Sequence, residues 1–228
     1  MDINDTTVIC KNEKEIDLSS EVNVMSKILR RTIDICIGLI GTCFLIPLSL
    51  IIKIIYIISK DTDSIMFVQE RIGKNGRIFK IYKYRTMVVG AEDKLKDLLE
   101  NNKEIREEYN ENKKIKYDPR ITKYGDFLRK TSLDEFPQFI NVLKGDMTLI
   151  GPRPYLKSEI KDMGDYYNKI IALKPGLTGL WQISGRSNLN FEDRLKLDEE
   201  YYKNNSLWLD AKIFVKTIKT VLCRKGAI

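Results

Sequence analysis

Residues Ile35 to Ile52 carry no charge across 18 consecutive positions, and an apolar run of that length is read as a membrane helix before any other fold is considered. Arg30, Arg31 and Asp34 precede it, and Lys53 and Lys60 follow it. A cleaved signal peptide fits poorly, because the run starts late, follows an acidic leader and reaches no small-residue cleavage site. An ordinary spanning helix has the necessary length. Pro47 and the basic flanks favour a different arrangement. A proline inside the helix removes one hydrogen bond and kinks the axis, and basic residues at both ends keep both on the cytoplasmic face. The combination suits a re-entrant helix–break–helix. Arg31 and Asp34 lie three apart on one helical face, which suits a mutual ion pair, lipid phosphate contacts or simple snorkelling. Arg30, Arg31, Asp34 and Pro47 are therefore candidate membrane-interface residues.

The charge is distributed unevenly. Residues 1–23 hold two lysines against six acidic residues, a net −4 that reads as a flexible acidic leader, while the remainder holds +11 of the total +7. Such an excess suits an anionic membrane surface, anionic substrates or nucleic acid, and the adjacent apolar anchor favours the first two. The 228 residues, 43% hydrophobic and 31% charged, give a globular balance with room for one domain of ordinary size. The expected organisation is residues 1–23 as leader, 24–60 as membrane segment and 61–228 as a single soluble domain. No histidine occurs, which places any acid–base or metal role on Asp, Glu and Lys. Cys10, Cys36, Cys43 and Cys223 lie far apart without C-x-x-C spacing and read as free thiols in a reducing compartment.

The richest stretch for chemistry is Thr131-Ser132-Leu133-Asp134-Glu135-Phe136-Pro137-Gln138. Leu133, Phe136, Phe139, Ile140 and Leu143 follow helical spacing, and Ser132 and Glu135 stand in a capping-box arrangement, so the spacing predicts a helix beginning near Ser132, or at Asp134 if that residue is the cap. Two adjacent carboxylates at a helix opening sit among unsatisfied N–H groups that favour an ionised carboxylate and attract phosphate oxygens. Asp134 and Glu135 are thus the candidate catalytic pair, with an ordinary capped helix as the alternative.

Elsewhere, Ser64–Gly73 and Arg77–Arg85 read as strands joined by an Asn75-Gly76 hairpin turn. Residues Ala91–Lys114 read as an amphipathic surface helix broken near Asn101-Asn102, followed by a connector around Gly125. In Gly151-Pro152-Arg153-Pro154 the flanking prolines restrict the backbone, so Arg153 is either a pre-positioned phosphate ligand or the exposed residue of a rigid turn. Trp181 reads as a core residue in preference to a uracil-stacking platform. Phe191–Lys203 is helical, and Leu209–Lys225 forms a basic amphipathic helix able to lie on an anionic membrane or pack on the domain.

Several long motifs occur together. Phe67-x-Gln69-x-Arg71-x-Gly73, Tyr82-Lys83-Tyr84-Arg85-Thr86-Met87, Asp118-Pro119-Arg120, the Ser132–Gln138 run, Gly151-Pro152-Arg153-Pro154 and Lys174-Pro175-Gly176 through Gly185-Arg186 resemble the bacterial sugar transferases, or monotopic phosphoglycosyl transferases. The resemblance covers nearly everything from Lys27 onward and is nearest the catalytic part of undecaprenyl-phosphate galactose phosphotransferases. It implies an α+β fold, a mainly helical cytoplasmic domain with a short β-hairpin, anchored by an N-terminal re-entrant helix in the bacterial inner membrane, although Ile46 stands where relatives often have Ser. It further implies transfer of a sugar 1-phosphate from a UDP-sugar to undecaprenyl phosphate, with Mg²⁺ as cofactor held by Asp134 and Glu135, or with Glu135 orienting the acceptor instead. Asp134 would attack the sugar-linked phosphorus and form an aspartyl phosphosugar, although a one-step transfer with Asp134 as a metal ligand is chemically open. Lys83 and Arg85 would contact diphosphate or lipid phosphate, Arg186 the nucleotide or a phosphate, and Asp198 the nucleotide or metal.

Rival readings are a membrane-anchored basic binding module and a phosphohydrolase with water as acceptor. No nucleic-acid motif appears among the basic stretches. Galactose and glucose differ in one hydroxyl and leave no readable signature; a homodimer is neither indicated nor opposed.

Overall fold

A computed structural model describes the backbone of residues 5–186 and 189–223, and side chains within that span from residue 24 onward except Leu222. Its first element, α1 (Asp5–Ile58), starts inside the stretch expected as a flexible leader, whose side chains lie outside the described residues. The helix runs through Pro47 without dividing in two. The expected break is thereby reduced to the one backbone bond that proline cannot make. From Val24 to Ile58, α1 is long and apolar enough to cross a membrane, and only 22% of its most hydrophobic window is buried, far below a soluble protein's core helix.

What α1 does bury is a single stripe. Gly38 lies against Leu143 and Gly41 against the Phe139 ring, while Leu45, Ile52 and Tyr56 form a cluster with Tyr84 and Leu128. With half-buried Leu48 between Leu45 and Ile52, these positions recur every three or four residues, the period of one helical face. The opposite face presents Leu39, Ile40, Phe44, Ile46, Leu50 and Ile51 outward.

The hairpin formed as its turn chemistry dictates. Strands β1 (Met66–Ile72) and β2 (Ile78–Tyr84) pair antiparallel from Met66↔Tyr84 to Ile72↔Ile78. Asn75 and Gly76 both take positive φ (55° and 77°), and Arg77 N donates to the Lys74 carbonyl across the turn at 3.2 Å. That is a type I′ turn, which Asn-Gly favours. The long amphipathic segment divides where predicted, into α2 (Ala91–Asn101) and α3 (Lys103–Asn112), because the Asn102 side chain caps the second helix by accepting from Ile105 N at 3.0 Å.

Gly125 departs from expectation. It is buried inside α4 (Lys123–Lys130) rather than in a connector. A Cβ there would lie 1.9 Å from the Thr86 carbonyl oxygen, so glycine is what lets the helix approach that backbone. The remaining elements are α5 (Gln138–Lys144), β3 (Thr148–Ile150), α6 (Ile160–Met163), α7 (Tyr167–Ile171), β4 (Gly176–Thr178), α8 (Leu180–Ser184), α9 (Phe191–Asn204) and α10 (Leu207–Leu222). Strands β3 and β4 pair in parallel as a second two-stranded sheet. The fold is mostly helical with a β-hairpin, as the sequence implied, and adds the small parallel β3–β4 sheet, which the sequence reading did not foresee.

Polar side chains of α1 lock it to the domain. Arg31 donates to the carbonyls of Val142 and Leu143, both at 2.7 Å, and so caps the C-terminal end of α5, where a cation opposes the helix dipole. Buried Asp34 accepts from Thr148 Oγ1 at 3.0 Å and Leu149 N at 2.8 Å. Arg30 pairs with Asp210 of α10 at 2.8 Å. The mutual Arg31–Asp34 pair is replaced by bonds to backbone more than a hundred residues away, because burial leaves those polar groups no solvent to turn to.

Candidate active site

Asp134 and Glu135 lie on a one-turn 3₁₀ helix (Leu133–Glu135), followed through Pro137 by α5. The capping box does not form. Ser132 adopts a left-handed conformation (φ 58°) with no side-chain cap bond, and its Oγ accepts instead from Arg186 Nη2 at 2.8 Å. Pro137 accounts for part of the difference, since it cannot donate within a continuous α-helix and fits only at its start. Leu133 and Phe136, which flank the two carboxylates, pack against the cluster built from Leu45, Ile52 and Tyr56. The turn that carries the two carboxylates therefore rests directly on α1.

Buried Asn141 of α5 sets the opposite wall. Its Oδ1 accepts from Tyr82 N at 3.1 Å and its Nδ2 donates to the Lys80 carbonyl at 2.7 Å, so one amide continues the ladder of β2. That register brings Lys83 to the pair, with Nζ 2.7 Å from Glu135 Oε1. Behind the turn, Arg129 donates from Nε to Thr86 Oγ1 at 2.9 Å, a reach that follows from the close seating of α4 at Gly125.

The two carboxylates titrate apart. Burial pushes Asp134 up to about 6; the Lys83 charge opposes this, the Glu135 charge adds to it, and Arg129 opposes it. Burial also raises Glu135, but its ion pair with Lys83 together with the charges of Arg186 and Arg153 carries it below the usual carboxylate value. Neighbouring carboxylates driven in opposite directions are a recurrent mark of acid–base and nucleophilic sites.

A second ring of cations surrounds this pair. Arg71 donates from Nη1 to the Pro154 carbonyl at 3.0 Å and from Nη2 to Gln69 Oε1 at 2.6 Å. Burial, then the nearby Arg153 charge, lowers it to about 10. The Arg153 guanidinium lies 5.8 Å from the Trp181 ring centroid, with Arg194 at 6.0 Å from the same ring. Trp181 is thus half-buried between cations rather than a core residue.

Four of the sequence candidates, Asp134, Glu135, Lys83 and Arg186, meet here, and Arg153 contributes its charge. Arg85 is engaged elsewhere: it pairs with Asp61 at 2.8 Å, donates to the carbonyls of Ser64 and Met87, and lies 5.0 Å from the Tyr56 ring. That hydrogen bond holds Asp61 down at about 2. Arg85 thus fastens the hairpin's exit to the end of α1. Asp198 is wholly buried, with its bonds inside the protein. Sequence reasoning passed over Arg71, Arg129 and Asn141.

Among the described residues no group of three or more Asp, Glu or Cys converges on one point. The donor set nevertheless suits magnesium, which is commonly held by one or two carboxylates and completed by water and substrate phosphates. Asp134 and Glu135 would supply those two carboxylates.

A carboxylate pair among cations and seated on α1 has the electrostatics to hold anionic groups. The chain belongs to the bacterial sugar transferase family, whose model matches residues 25–224. It is 43% identical over 202 residues to the undecaprenyl-phosphate galactose phosphotransferase of Salmonella typhimurium, covering 89% of this chain and 42% of that protein. It is 45% identical over 203 residues to the galactosyl transferase CpsE of Streptococcus agalactiae, covering 88% of this chain and 43% of the relative. The exopolysaccharide production protein ExoY of Sinorhizobium fredii is 38% identical over 200 residues and is covered to 88%, as is this chain. The chain thus spans about two fifths of the first two relatives and nearly all of the third.

Proposed function

We propose that this protein transfers a sugar 1-phosphate, galactose 1-phosphate in particular, from a UDP-sugar to undecaprenyl phosphate, releasing UMP, as the opening step of a lipid-linked surface glycan. The observation that carries the reading is the Asp134–Glu135 turn, ringed by Lys83, Arg129, Arg153 and Arg186 and resting on α1. Galactose is favoured over glucose because relatives named for galactose stand at 43–45% identity, whereas the UDP-glucose:undecaprenyl-phosphate transferase of Escherichia coli stands at 33%.

In the first step an oxygen of Asp134 attacks the sugar-linked phosphorus, and the bond from that phosphorus to the bridging oxygen breaks with UMP leaving. The product is an aspartyl phosphosugar. In the second, an oxygen of the lipid phosphate attacks the same phosphorus and the aspartyl bond breaks, restoring the Asp134 carboxylate. Lys83 fixes Glu135 and draws the Asp134 proton equilibrium toward the ionised nucleophile. Arg153 and Arg186 offset the charge gathered on the phosphoryl oxygens. Mg²⁺ held by Asp134 and Glu135 would neutralise the diphosphate and favour departure of UMP.

Membrane placement follows from length and docking. The 35 residues of Val24–Ile58 would extend about 52 Å as a helix, against about 30 Å of hydrocarbon. Its docked stripe, from Arg31 to Tyr56, occupies most of that length. A perpendicular crossing would drag the backbone of α5 and β3 into lipid, where unsatisfied polar groups are costly. An oblique α1 entering and leaving the cytoplasmic leaflet would keep the outward face in lipid and the site at headgroup depth, with Pro47 the position at which the otherwise undivided helix would bend in the bilayer. There a soluble UDP-sugar and a lipid phosphate can meet.

The test is UMP release by the protein in nanodiscs with Mg²⁺, across several UDP-sugars, with and without undecaprenyl phosphate. Wild type is expected to give acceptor-stimulated turnover with UDP-galactose, and Asp134→Asn to lose about 10³-fold or more. Full turnover by a folded, membrane-bound Asp134→Asn protein refutes the assignment.

A further inference from the structure

Asp198 matched a family position expected to touch nucleotide or metal, yet it is 0% exposed at the centre of α9. Both of its recorded bonds fall on a single oxygen: Oδ2 accepts from Arg153 N at 3.1 Å and from Tyr155 Oη at 2.8 Å. Its other oxygen, Oδ1, is buried without a protein partner. The donors bracket Pro154, in the stiff loop that begins at Gly151. A second buried carboxylate grips the same segment from the other side. Glu159 Oε2 accepts from Leu156 N at 2.6 Å, and its Oε1 lies 3.7 Å from Arg153 Nη2. The loop's remaining exit is held by Arg71, which donates to the Pro154 carbonyl. The Arg153 side chain leaves this clamp toward Trp181, and its charge is felt at Glu135.

We propose that Asp198 is a positioning residue that sets the Arg153 guanidinium by anchoring the main chain of the Gly151–Tyr155 segment, and is not a ligand for nucleotide or metal. A ligand role would require α9 and the loop to separate, exposing the Arg153 N–H and the Tyr155 hydroxyl that Asp198 now satisfies. The positioning role uses the contacts already made. It also explains why proline flanks Arg153: a rigid segment transmits the anchor's position to the side chain, whereas a flexible one would absorb it. The proposal rests on the transferase reading.

Because one oxygen accepts both bonds, Asn can reproduce them, whereas a charge or a metal ligand cannot be replaced in this way. With the full chain in nanodiscs, Asp198→Asn is expected to keep UMP release within a few-fold of wild type, with an unchanged Mg²⁺ activation midpoint and donor KM. Asp198→Ala leaves two buried donors unpaired and should lower kcat/KM about tenfold to a hundredfold. Arg153→Ala should fall to a similar level, and the double variant should be no worse than Arg153→Ala alone, since one residue acts through the other. Tyr155→Phe, which removes one anchor bond and little volume, gives a milder version of the same defect if Asp198→Ala fails to fold. The proposal is overturned if Asp198→Asn shifts the Mg²⁺ midpoint or loses as much activity as Glu135→Gln. It is equally overturned if the Asp198→Ala and Arg153→Ala losses multiply. Absence of UMP release by wild type, by contrast, counts against the transferase reading itself.

Discussion

If Asp134 is the nucleophile, the rate should follow its ionisation. Burial raises its pKa to about 6 from an ordinary 3.8, with Lys83 the largest opposing influence. The sign is set by chemistry: only the carboxylate attacks, so activity rises with pH through this pKa. With a pKa of about 6 the ionised fraction is about 0.9 at pH 7 and about 0.1 at pH 5, close to a tenfold loss. An unperturbed aspartate would remain about 0.94 ionised at pH 5 and lose almost nothing. The lipid phosphate acceptor also titrates, with a second pKa of about 6 by analogy with other phosphate monoesters. The assay must therefore be the acceptor-free burst of UMP, which reports the first step alone. Lys83→Met, lacking the opposing charge, should move the acid limb to higher pH, and Glu135→Gln should move it lower. A burst rate flat from pH 8 to pH 4.5, or a limb unmoved in Lys83→Met, would refute the electrostatic account of the pair.

Other outcomes follow from packing and linkage. Because the folded-state pKa of Asp134 is raised, this group contributes stability that is present below about pH 3.8 and lost as pH rises through about 6. Asp134→Asn should therefore raise Tm by roughly a few degrees at pH 8, with the gain shrinking toward pH 5. Asp34→Ala strands the buried Leu149 N–H, which costs about 1–3 kcal/mol, and a thermal melt in detergent should register the loss. Gly125→Ala places a methyl group against the Thr86 carbonyl. Since backbone cannot yield as a side chain does, a loss of folded protein well beyond the ~1–3 kcal/mol of ordinary overpacking is expected, read as soluble yield after detergent extraction.

The readings that succeeded in the sequence were those with local causes. Asn75-Gly76 specifies its own turn and hence the hairpin register, and Asn102 divides a helix by capping it. The carboxylate pair stood out because its residues are adjacent and its motif is long, and its catalytic role is the proposal put to test below. The failures share a different cause. Ser132 surrenders its capping geometry to Arg186, 54 residues on. Arg31 and Asp34 are neighbours in sequence but spend their bonds on separate stretches of the domain. Gly125 resembles a linker and is in fact a site of close backbone approach. Trp181 looked like core because a sequence does not display the two guanidiniums that meet its ring. In each case the deciding partner is distant in the chain, and neither propensity nor periodicity carries that information.

The covalent step is the centre of the account, and intact-protein mass measurement tests it most directly. Nanodisc-held wild type is incubated with UDP-galactose and Mg²⁺, without lipid acceptor, and quenched in acid. The account predicts a hexose-phosphate adduct that maps to Asp134, disappears on adding undecaprenyl phosphate and is absent from Asp134→Asn. UMP formed only when acceptor is present, with no adduct on Asp134 under any condition, would contradict it and favour a direct one-step transfer.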